Sequence, residues 1–324
     1  MSLKTRIRDR LPAPLLLLVR KGLHLARDST LRLLVALRLQ QKAFGRVPDL
    51  VHPEHFTDKI RWRMLYDRRP LLQMCSDRLA ARDYVAKRAG DKYLVPLLGV
   101  FDRPEQIPWA ELPPPYVVKP THGSGWSIFV RDSGDVDPER FQKKLEEWLR
   151  TNYYHFFWEW SYKQVPRRII VERFIGLDGN VPEDFKFHCF DGEPQVVTVC
   201  RGRFTSEEGW TVRDPSWNVL TVFHGKYPPG PPASPPPGFA EMTELARALS
   251  EGFDFIRVDL YCVEDRVYFG ELTPTPNGGE RLFSEGPGVF LGAFWRLPSR
   301  AALRRARGQQ RRDGSLVYGR ARQG

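Results

Sequence analysis

The chain of 324 residues has only four cysteines, and no two of them stand in a CxxC or a Cys/His metal-binding spacing. This argues against a disulfide framework and a structural zinc site, and favours buried thiols in a reducing cytoplasm. No apolar stretch approaches the ~20 residues of a membrane-spanning helix. The sequence also has no internal repeat, no GxxxxGK[ST] loop and no GxGxxG fingerprint, which excludes the P-loop and Rossmann modes of nucleotide binding.

Positive charge is concentrated at the two ends of the chain. The formal net charge is +11, but residues 1–46 carry +9 and residues 296–324 carry +8, so the residues between them carry −6. An acidic body argues against a nucleic-acid-binding core, and we expect no nucleic-acid partner. Basic ends on such a body either contact an anionic surface, such as a membrane leaflet, or only keep the protein soluble.

The N-terminal segment, residues 1–45, predicts two short basic amphipathic helices over 14–26 and 30–43. They either lie on an anionic membrane surface or pack on the body of the protein, and the sequence leaves both open. The Arg-rich segment 296–324 is predicted to be a disordered tail. We therefore expect a cytoplasmic protein, peripheral at the inner membrane leaflet if its basic ends bind lipid.

The body combines helical and strand patterns. Helices are predicted within 56–89, over 138–150, beginning with Pro138, and over 239–251. Strands are predicted over 116–119, 169–174, 184–190 and 195–200, the last two joined by an Asp191-Gly192 turn. Strands therefore dominate the second half of the chain.

Apolar and polar residues alternate on both sides of Glu264 and Asp265, which predicts a β-hairpin with its turn at these two residues and a register centred on Asp265. This register sets Asp259 opposite Glu271 on one face of the sheet. It sets Arg257 opposite Thr273 on the same face. Directly opposed carboxylates repel each other unless a counter-charge lies between them.

A divalent cation would remove that repulsion. Mg²⁺ binds one or two carboxylates and leaves its other positions to water and nucleotide phosphates, so nucleotide chemistry is our first hypothesis. The alternative is that Asp259 and Glu271 are residues of a solvated face, each balanced by an arginine.

Two lysines are placed to contact a polyphosphate. Lys119 ends an apolar strand and precedes a glycine-bearing loop, residues 121–125, whose backbone amides can approach phosphates closely. Lys186 shares a strand face with Asp184 by alternation, although a salt-bridged sheet surface would have the same pattern. The histidines of both segments are expected to be partnered or exposed rather than metal ligands.

Taken in order, these segments resemble the ATP-grasp fold. A strand in PYVVKPTHGSG, a strand ending in VERF, the DFKF strand, RVDL and GELTPTPNGG follow one another as in that fold. The earlier segments FTDKIRW, SDRLAARDYV and YLVPLLGV make the chain more closely similar to the TupA-like ATP-grasp family of bacterial surface-polysaccharide gene clusters. The resemblance covers about residues 44–292.

This resemblance implies an α+β fold with two lobes, whose antiparallel sheets sandwich the nucleotide, preceded by N-terminal helices. The expected domains are the basic helical segment 1–45, a helical N-terminal region of the ATP-grasp unit over 46–110, the ATP-grasp domain over 111–295 with a nucleotide lobe and a metal-binding lobe, and the tail 296–324.

The resemblance also implies a role for each matching residue. Arg257 and Lys186 would be the catalytic residues, with Arg257 stabilising charge on the transferred phosphoryl group and Lys186 beside the phosphates. The nucleotide would contact Lys119, the loop residues Thr121, His122, Gly123, Ser124 and Gly125, the adenine hinge Glu172, Arg173 and Phe174, and Asp184 at the ribose; Mg²⁺ would bind Asp259, Glu271 and Thr273.

Two positions depart from the pattern that the resemblance leads us to expect. Thr273 stands where many ATP-grasp ligases have an asparagine, although a TupA-like pattern shares the threonine, and its neutral hydroxyl is a weaker metal ligand. Arg78 follows Asp77 in place of an expected lysine.

By this resemblance the protein would be an ATP- and Mg²⁺-dependent ligase of cell-surface polysaccharide biosynthesis. A small-molecule carboxylate would be activated as an acyl phosphate and captured by an amine or sugar acceptor. Two alternatives stay open at this point. One is a phosphotransferase or glycosyltransferase-associated protein of the same pathway, and the other is a membrane-peripheral scaffold that binds nucleotide without turnover.

Overall fold

The computed structural model describes residues 48–177, 179–203, 205–220, 234–279, 285–299 and 301–305. The chain divides into two compact units, Met1–His52 and Pro53–Gly324, and the described helices and strands all belong to the second. The predicted helices 14–26 and 30–43 lie outside the described residues. Of the predicted tail 296–324, the described part includes a helical turn over 301–305 with Leu303 buried.

The helices of the described residues are α1 (Phe56–Tyr66), α2 (Pro70–Ser76), α3 (Arg78–Ala89), α4 (Pro138–Arg150), α5 (Tyr154–Phe157), α6 (Phe239–Ser250) and α7 (Glu285–Ala293). The strands are β1 (Leu97–Phe101), β2 (Tyr116–Pro120), β3 (Ile128–Val130), β4 (Ile169–Arg173), β5 (Asp184–Phe190), β6 (Glu193–Arg201), β7 (Gly209–Arg213), β8 (Phe255–Val263) and β9 (Arg266–Thr273). In the part of the chain described, no helix has the length and apolar content needed to cross a bilayer.

The first sheet has four antiparallel strands in the order β1-β4-β2-β3. Its core includes the buried stripe Phe141, Leu145 and Trp148 of α4, whose i, i+4, i+7 spacing places the three side chains on one helix face. Pro138 occupies the first turn of α4, and Asp137 caps it by accepting a hydrogen bond from the Arg140 N–H. The predicted bounds of this helix are confirmed.

The second sheet has five antiparallel strands in the order β7-β6-β5-β8-β9. Phe185, Phe187 and Cys189 of β5 point into a core that also contains residues of α2, α3 and α6. The alternating residues of β5, which include Asp184 and Lys186, therefore lie on the opposite face, as the sequence predicts. β5 is the central strand of this sheet, so Asp184 and Lys186 lie in the middle of its polar face.

The hairpin β8–β9 pairs Asp259 with Glu271 and Arg257 with Thr273, which confirms the predicted pairs. The predicted Glu264-Asp265 turn is confirmed, and both residues have positive φ (47° and 61°). The register beside the turn is centred between these two residues rather than on Asp265, because Val263 pairs with Arg266. Such a two-residue turn is typical of tight hairpins.

A one-residue irregularity at Gly270 compensates for the shifted register. The ladder runs regularly from Val263↔Arg266 to Leu260↔Phe269, and the next pair is Asp259↔Glu271. Gly270 is thus an extra residue, a β-bulge that turns the side chain of Glu271 to the polar face. A side chain at position 270 would meet the Asp259 carbonyl oxygen at 3.0 Å, so the close backbone approach requires glycine there.

An arginine of α1 holds the open end of this hairpin. The Arg63 guanidinium is 1% exposed. It donates to the carbonyl oxygens of Phe255 at 2.8 Å and Pro274 at 2.9 Å, and to Asp254 Oδ2 at 2.7 Å. Burial alone would raise the pKa of Asp254, but Arg63 and Arg69 outweigh it and lower that pKa to about 2.

We expect Asp254→Asn to lower the free energy of unfolding by about 3 kcal/mol, because it takes from buried Arg63 the nearer of its two carboxylates and leaves only Asp67, at 3.9 Å. The folded-state pKa of about 2 lies below the ~3.9 of an unfolded aspartate. The contribution of Asp254 is therefore present above about pH 4 and is lost as the pH falls from 4 towards 2. Urea unfolding of the wild type and of Asp254→Asn at pH 6 and at pH 3 measures this difference in the free energy of unfolding.

The matched control is Asp265→Asn, at the exposed turn of the β8–β9 hairpin. Asparagine tolerates the left-handed backbone of that turn, so the free energy of unfolding should change by less than about 0.5 kcal/mol. Equal losses in the two variants, or a loss in Asp254→Asn that is the same at both pH values, would contradict the role assigned to Asp254.

Candidate functional site

Two cations and two carboxylates lie together on the polar face of the second sheet. Lys186 lies opposite Asp259 in the β5–β8 pair, and its Nζ donates to Asp259 Oδ2 at 2.7 Å and to Asp184 Oδ2 at 2.5 Å. Arg257 Nε donates to Asp259 Oδ1 at 2.6 Å and Arg257 Nη2 to Asp259 Oδ2 at 2.7 Å. Asp259 is 1% exposed, and a carboxylate so deeply buried needs this pairing.

The same guanidinium also reaches the facing strand. Arg257 Nη2 donates to Glu271 Oε1 at 2.9 Å and to Thr273 Oγ1 at 3.2 Å, and the Thr273 hydroxyl donates to Glu271 Oε1 at 2.8 Å. Burial alone would lower the pKa of Arg257, but Asp259 and Glu271 raise it. In this structure, therefore, an arginine lies between the two opposed carboxylates. The alternative of a solvated face is wrong for Asp259, which is buried, but its arginine counter-charge is confirmed.

Asp184 lies deeper than the ribose role would require. Its side chain is 1% exposed, and Arg203 Nη1 donates to its Oδ2 at 3.1 Å in addition to Lys186. Its other oxygen, Oδ1, is buried and has no hydrogen-bond partner in the described part of the chain. A contact between Asp184 and a ribose hydroxyl would require these ion pairs to open.

In the first sheet, Lys119 is paired with Glu172 of the neighbouring strand. Lys119 Nζ donates to Glu172 Oε2 at 2.9 Å, and Arg82 Nη1 of α3 donates to Glu172 Oε1 at 2.9 Å. Burial alone would raise the pKa of Glu172, but Lys119, Arg82 and Arg78 together lower it. The carboxylate is thus charged and shared between two cations.

The other two predicted hinge residues follow Glu172 at the end of β4. Arg173 is exposed, and its N–H donates to the Pro96 carbonyl oxygen at 2.9 Å. The Phe174 N–H donates to the Pro115 carbonyl oxygen at 3.0 Å, and its ring packs edge-on against Phe129. The hinge backbone is therefore anchored to neighbouring strand ends.

The loop 121–125 divides into a buried and an open part. Thr121 is fully buried and donates to the Pro166 carbonyl oxygen at 2.6 Å. His122 is 1% exposed and its Nε2 lies 2.9 Å from the Trp148 carbonyl oxygen; burial lowers its pKa. These two side chains are buried and bonded within the first lobe, so they can take part in the predicted role only through their backbone, whereas Ser124 is partly exposed and Gly125 exposed.

The two histidines are partnered, as the sequence predicts. Besides His122, His188 Nε2 lies 3.2 Å from Thr198 Oγ1. Of the aromatic residues that follow α4, Tyr153 is buried against Trp126 and Tyr162, whereas Phe156 is 37% exposed.

A cleft joins the two sheets beside these ion pairs. It is lined by Cys75, Ser76, Arg78, Ala81, Arg82, Gly123, Tyr162, Glu172, Phe269, Gly270, Glu271 and Leu272. Arg82 and Arg203 were missed by sequence reasoning, and Arg78 was noted only as a departure. The i, i+4 spacing of Arg78 and Arg82 within SDRLAAR puts both on one helix face. This spacing could have identified the two arginines as a pair directed at one site.

The carboxylates of Asp259 and Glu271 are suitable ligands for an oxygen-preferring cation, although Arg257 and Lys186 neutralise them in this structure. Among the described residues, no group of three or more His, Cys, Asp or Glu side chains is arranged to hold a metal ion. Asp259, Glu271 and Thr273 do supply two carboxylates and a hydroxyl around one guanidinium, and the Glu271 side chain is 35% exposed. With the buried, unpartnered Asp184 Oδ1 nearby, these residues fit Mg²⁺ if Arg257 releases Glu271.

Comparison with known proteins identifies the family. The family model described as TupA-like ATPgrasp matches residues 58–294, which are most of the chain. No curated protein matches the chain.

Several solved structures are similar in fold. D-alanine–D-alanine ligase from Bacillus anthracis with ATP is 14% identical at a TM-score of 0.42, covering 82% of this chain and 77% of that one. L-amino acid ligase from Bacillus licheniformis is 17% identical at a TM-score of 0.40, covering 63% of this chain and 44% of that one. The chain thus spans less than half of the latter, and at these TM-scores we assign neither substrate nor activity from the similarity. The family match and the two antiparallel sheets establish that this chain belongs to the TupA-like ATP-grasp family.

Proposed function

We propose that the protein is an ATP- and Mg²⁺-dependent ligase that joins a small-molecule carboxylate to an amine through an acyl phosphate. The observation that carries the proposal is the convergence of Arg257, Lys186, Asp259 and Glu271 on one sheet face. This face borders a cleft whose other wall includes Glu172, the partner of Lys119. Family membership supports the same conclusion.

In this proposal Arg257 stabilises the charge that develops on the transferred phosphoryl group. Its guanidinium is held by two hydrogen bonds to Asp259, which fix its plane before any ligand arrives. Positioned charge of this kind needs no reorganisation during the reaction, and such electrostatic stabilisation supplies most of phosphoryl-transfer catalysis. Lys186 is oriented in the same way by Asp184 and Asp259.

Lys119 is the proposed phosphate contact of the first sheet. Its side chain is 26% exposed while its Nζ donates to Glu172, which lines the cleft. Phosphate oxygens would compete with the Glu172 carboxylate for this ammonium, because both accept charge-assisted hydrogen bonds. Glu172 then keeps Arg82 as its counter-charge.

Mg²⁺ would be held by Asp259 and Glu271, with Thr273 as a neutral third ligand. When bound, the metal supplies positive charge on phosphate oxygens. The chain's own contribution is to supply carboxylate oxygens on rigid strands and to exclude water from Asp259, which is 1% exposed.

The proposed reaction has two steps. An oxygen of the substrate carboxylate bonds to the γ-phosphorus of ATP and ADP departs, which gives an acyl phosphate. The nitrogen of the amine then bonds to the acyl carbon, inorganic phosphate departs and the amine loses a proton. We further propose amino acids or uronic-acid sugars as the carboxylates, and an amine or amino sugar of cell-surface polysaccharide assembly as the acceptor, on the resemblance of the sequence alone.

Isotope transfer tests this proposal. The purified chain is incubated with Mg·ATP, hydroxylamine as a surrogate amine, and a panel of amino acids and uronic acids, and ADP and hydroxamates are measured. The active carboxylate is then labelled with ¹⁸O, and we expect one ¹⁸O atom to appear in inorganic phosphate by mass spectrometry. A phosphotransferase would instead give a phosphorylated product and no inorganic phosphate, and a scaffold would release no ADP.

We expect Glu271→Gln to reduce ADP release at least about 100-fold, because it removes charge that orients the phosphoryl-transfer groups. The matched control is Glu264→Gln, at the exposed turn of the same hairpin, which should retain the wild-type rate. If both variants kept that rate, Glu271 would have no part in the reaction.

Nucleotide binding should depend on the metal through the same residue. We expect a non-hydrolysable ATP analogue to bind the wild type at least about tenfold more tightly with Mg²⁺ than with EDTA, by isothermal titration calorimetry. In Glu271→Gln this metal dependence should shrink, because one of two carboxylate ligands is gone. Metal-dependent binding that is equal in the wild type and Glu271→Gln would show that the metal is held elsewhere.

A further inference from the structure

Arg78, the first residue of α3, donates hydrogen bonds to the backbone of the glycine-bearing loop 121–125 and of the residue before it. Arg78 Nε donates to the Pro120 carbonyl oxygen at 3.2 Å and Arg78 Nη2 to that of Gly123 at 3.1 Å. The Arg78 backbone N–H donates to the Thr121 carbonyl oxygen at 3.2 Å. One residue outside both sheets thus holds three carbonyls of a four-residue span.

These bonds fix the orientation of the peptide planes in the loop. Because a peptide unit is planar and trans, a carbonyl held towards Arg78 points the N–H of the next residue the opposite way. The bond to Gly123 therefore sets the direction of the Ser124 N–H, a donor at the start of the exposed part of the loop. Backbone N–H groups of this kind bind phosphate oxygens in glycine-bearing loops.

An aromatic ring fixes the loop from another side. A side chain at position 123 would lie 2.7 Å from the ring of Trp126. Trp126 in turn stacks on Trp148 of α4 at 5.9 Å between ring centroids and an interplanar angle of 4°. Gly123 is thus confined between the indole of Trp126 and the guanidinium of Arg78.

The use of arginine at position 78 has a geometric reason. A guanidinium presents several N–H donors in a rigid plane, and here two of its nitrogens reach carbonyls three residues apart. A lysine has a single nitrogen on a flexible stem and cannot reproduce that spacing. One turn later on the same helix face, Arg82 donates to Glu172, the partner of Lys119.

We propose that Arg78 is a positioning residue that shapes the glycine loop to receive nucleotide phosphates, acting from a helix that precedes both sheets. This inference rests on the proposed function for the identity of the ligand. It assigns Arg78 no direct contact with the nucleotide. The loop shape should therefore depend on Arg78 even in the free protein.

The test compares full-length wild type, Arg78→Ala, Arg78→Lys and Arg88→Ala. Alanine is a good helix former, so Arg78→Ala should retain α3. Arg88 is the matched control, because it lies on the same helix, donates to the Ala248 carbonyl oxygen at 2.6 Å and pairs with Glu251, away from the glycine loop. Hydrogen–deuterium exchange of residues 122–126 is measured without nucleotide, and the dissociation constant of Mg·adenylyl-imidodiphosphate by calorimetry.

We expect Arg78→Ala to accelerate exchange over 122–126 and to raise the dissociation constant about 10- to 100-fold, the range that corresponds to the loss of a charged hydrogen bond. Arg78→Lys should lie between wild type and Arg78→Ala in both measurements. Arg88→Ala should leave both unchanged within twofold, even if its melting temperature falls.

Three results would overturn the inference. If Arg78→Ala binds nucleotide more weakly but exchanges at the wild-type rate, Arg78 is a direct ligand. If Arg88→Ala shows the same effects, they reflect the general docking of α3. If Arg78→Ala changes neither exchange nor binding, Arg78 has no role in the loop. If the wild type itself bound no nucleotide, the proposed function would fail, while the exchange measurement would still decide whether Arg78 holds the loop.

Discussion

Buried charge on the polar face of the second sheet is the constraint on which the rest of this lobe depends. Asp259 and Asp184 are each 1% exposed, and a carboxylate at that depth is tolerated only with a hydrogen-bonded cation. Arg257 and Lys186 meet this requirement from the same two strands. Each of these two cations contacts two acids, and Asp184 also accepts from Arg203. Removing one member therefore weakens the pairing of its neighbours but leaves each buried carboxylate with a cation.

This constraint explains why hairpin register matters more than any single contact. A one-residue slip in a strand moves every side chain to the opposite face. Without the extra residue Gly270, regular alternation from Phe269 would direct Glu271 into the apolar core. The bulge lets Phe269 and Leu272 both face the core while Glu271 faces Arg257.

Local pattern therefore predicted features that depend on neighbouring residues, such as the α4 bounds, the Asp259–Glu271 pair and six of the strands. It missed the short strands β1, β3 and β7. The break in apolar spacing from Phe269 to Leu272 could have located the bulge as well. The cations around Glu172 could not be found in this way, because Arg82 is 90 residues away in sequence. Likewise, alternation places a carboxylate on a face but does not reveal whether metal or arginine neutralises it.

Both walls of the cleft satisfy their charges with groups of the protein itself. Lys119 is bonded to Glu172, and Arg257 to Glu271. Binding of an anionic ligand is then an exchange of partners, and its free energy is the difference between the new ion pairs and those that open. A neutral ligand offers nothing to replace the opened pairs, so it cannot recruit these cations. Under the proposed function, phosphates that replace Glu271 as the partner of Arg257 Nη2 would free Glu271 for a metal ion while Asp259 keeps its hold on the guanidinium. Metal and nucleotide binding would then be coupled through one guanidinium.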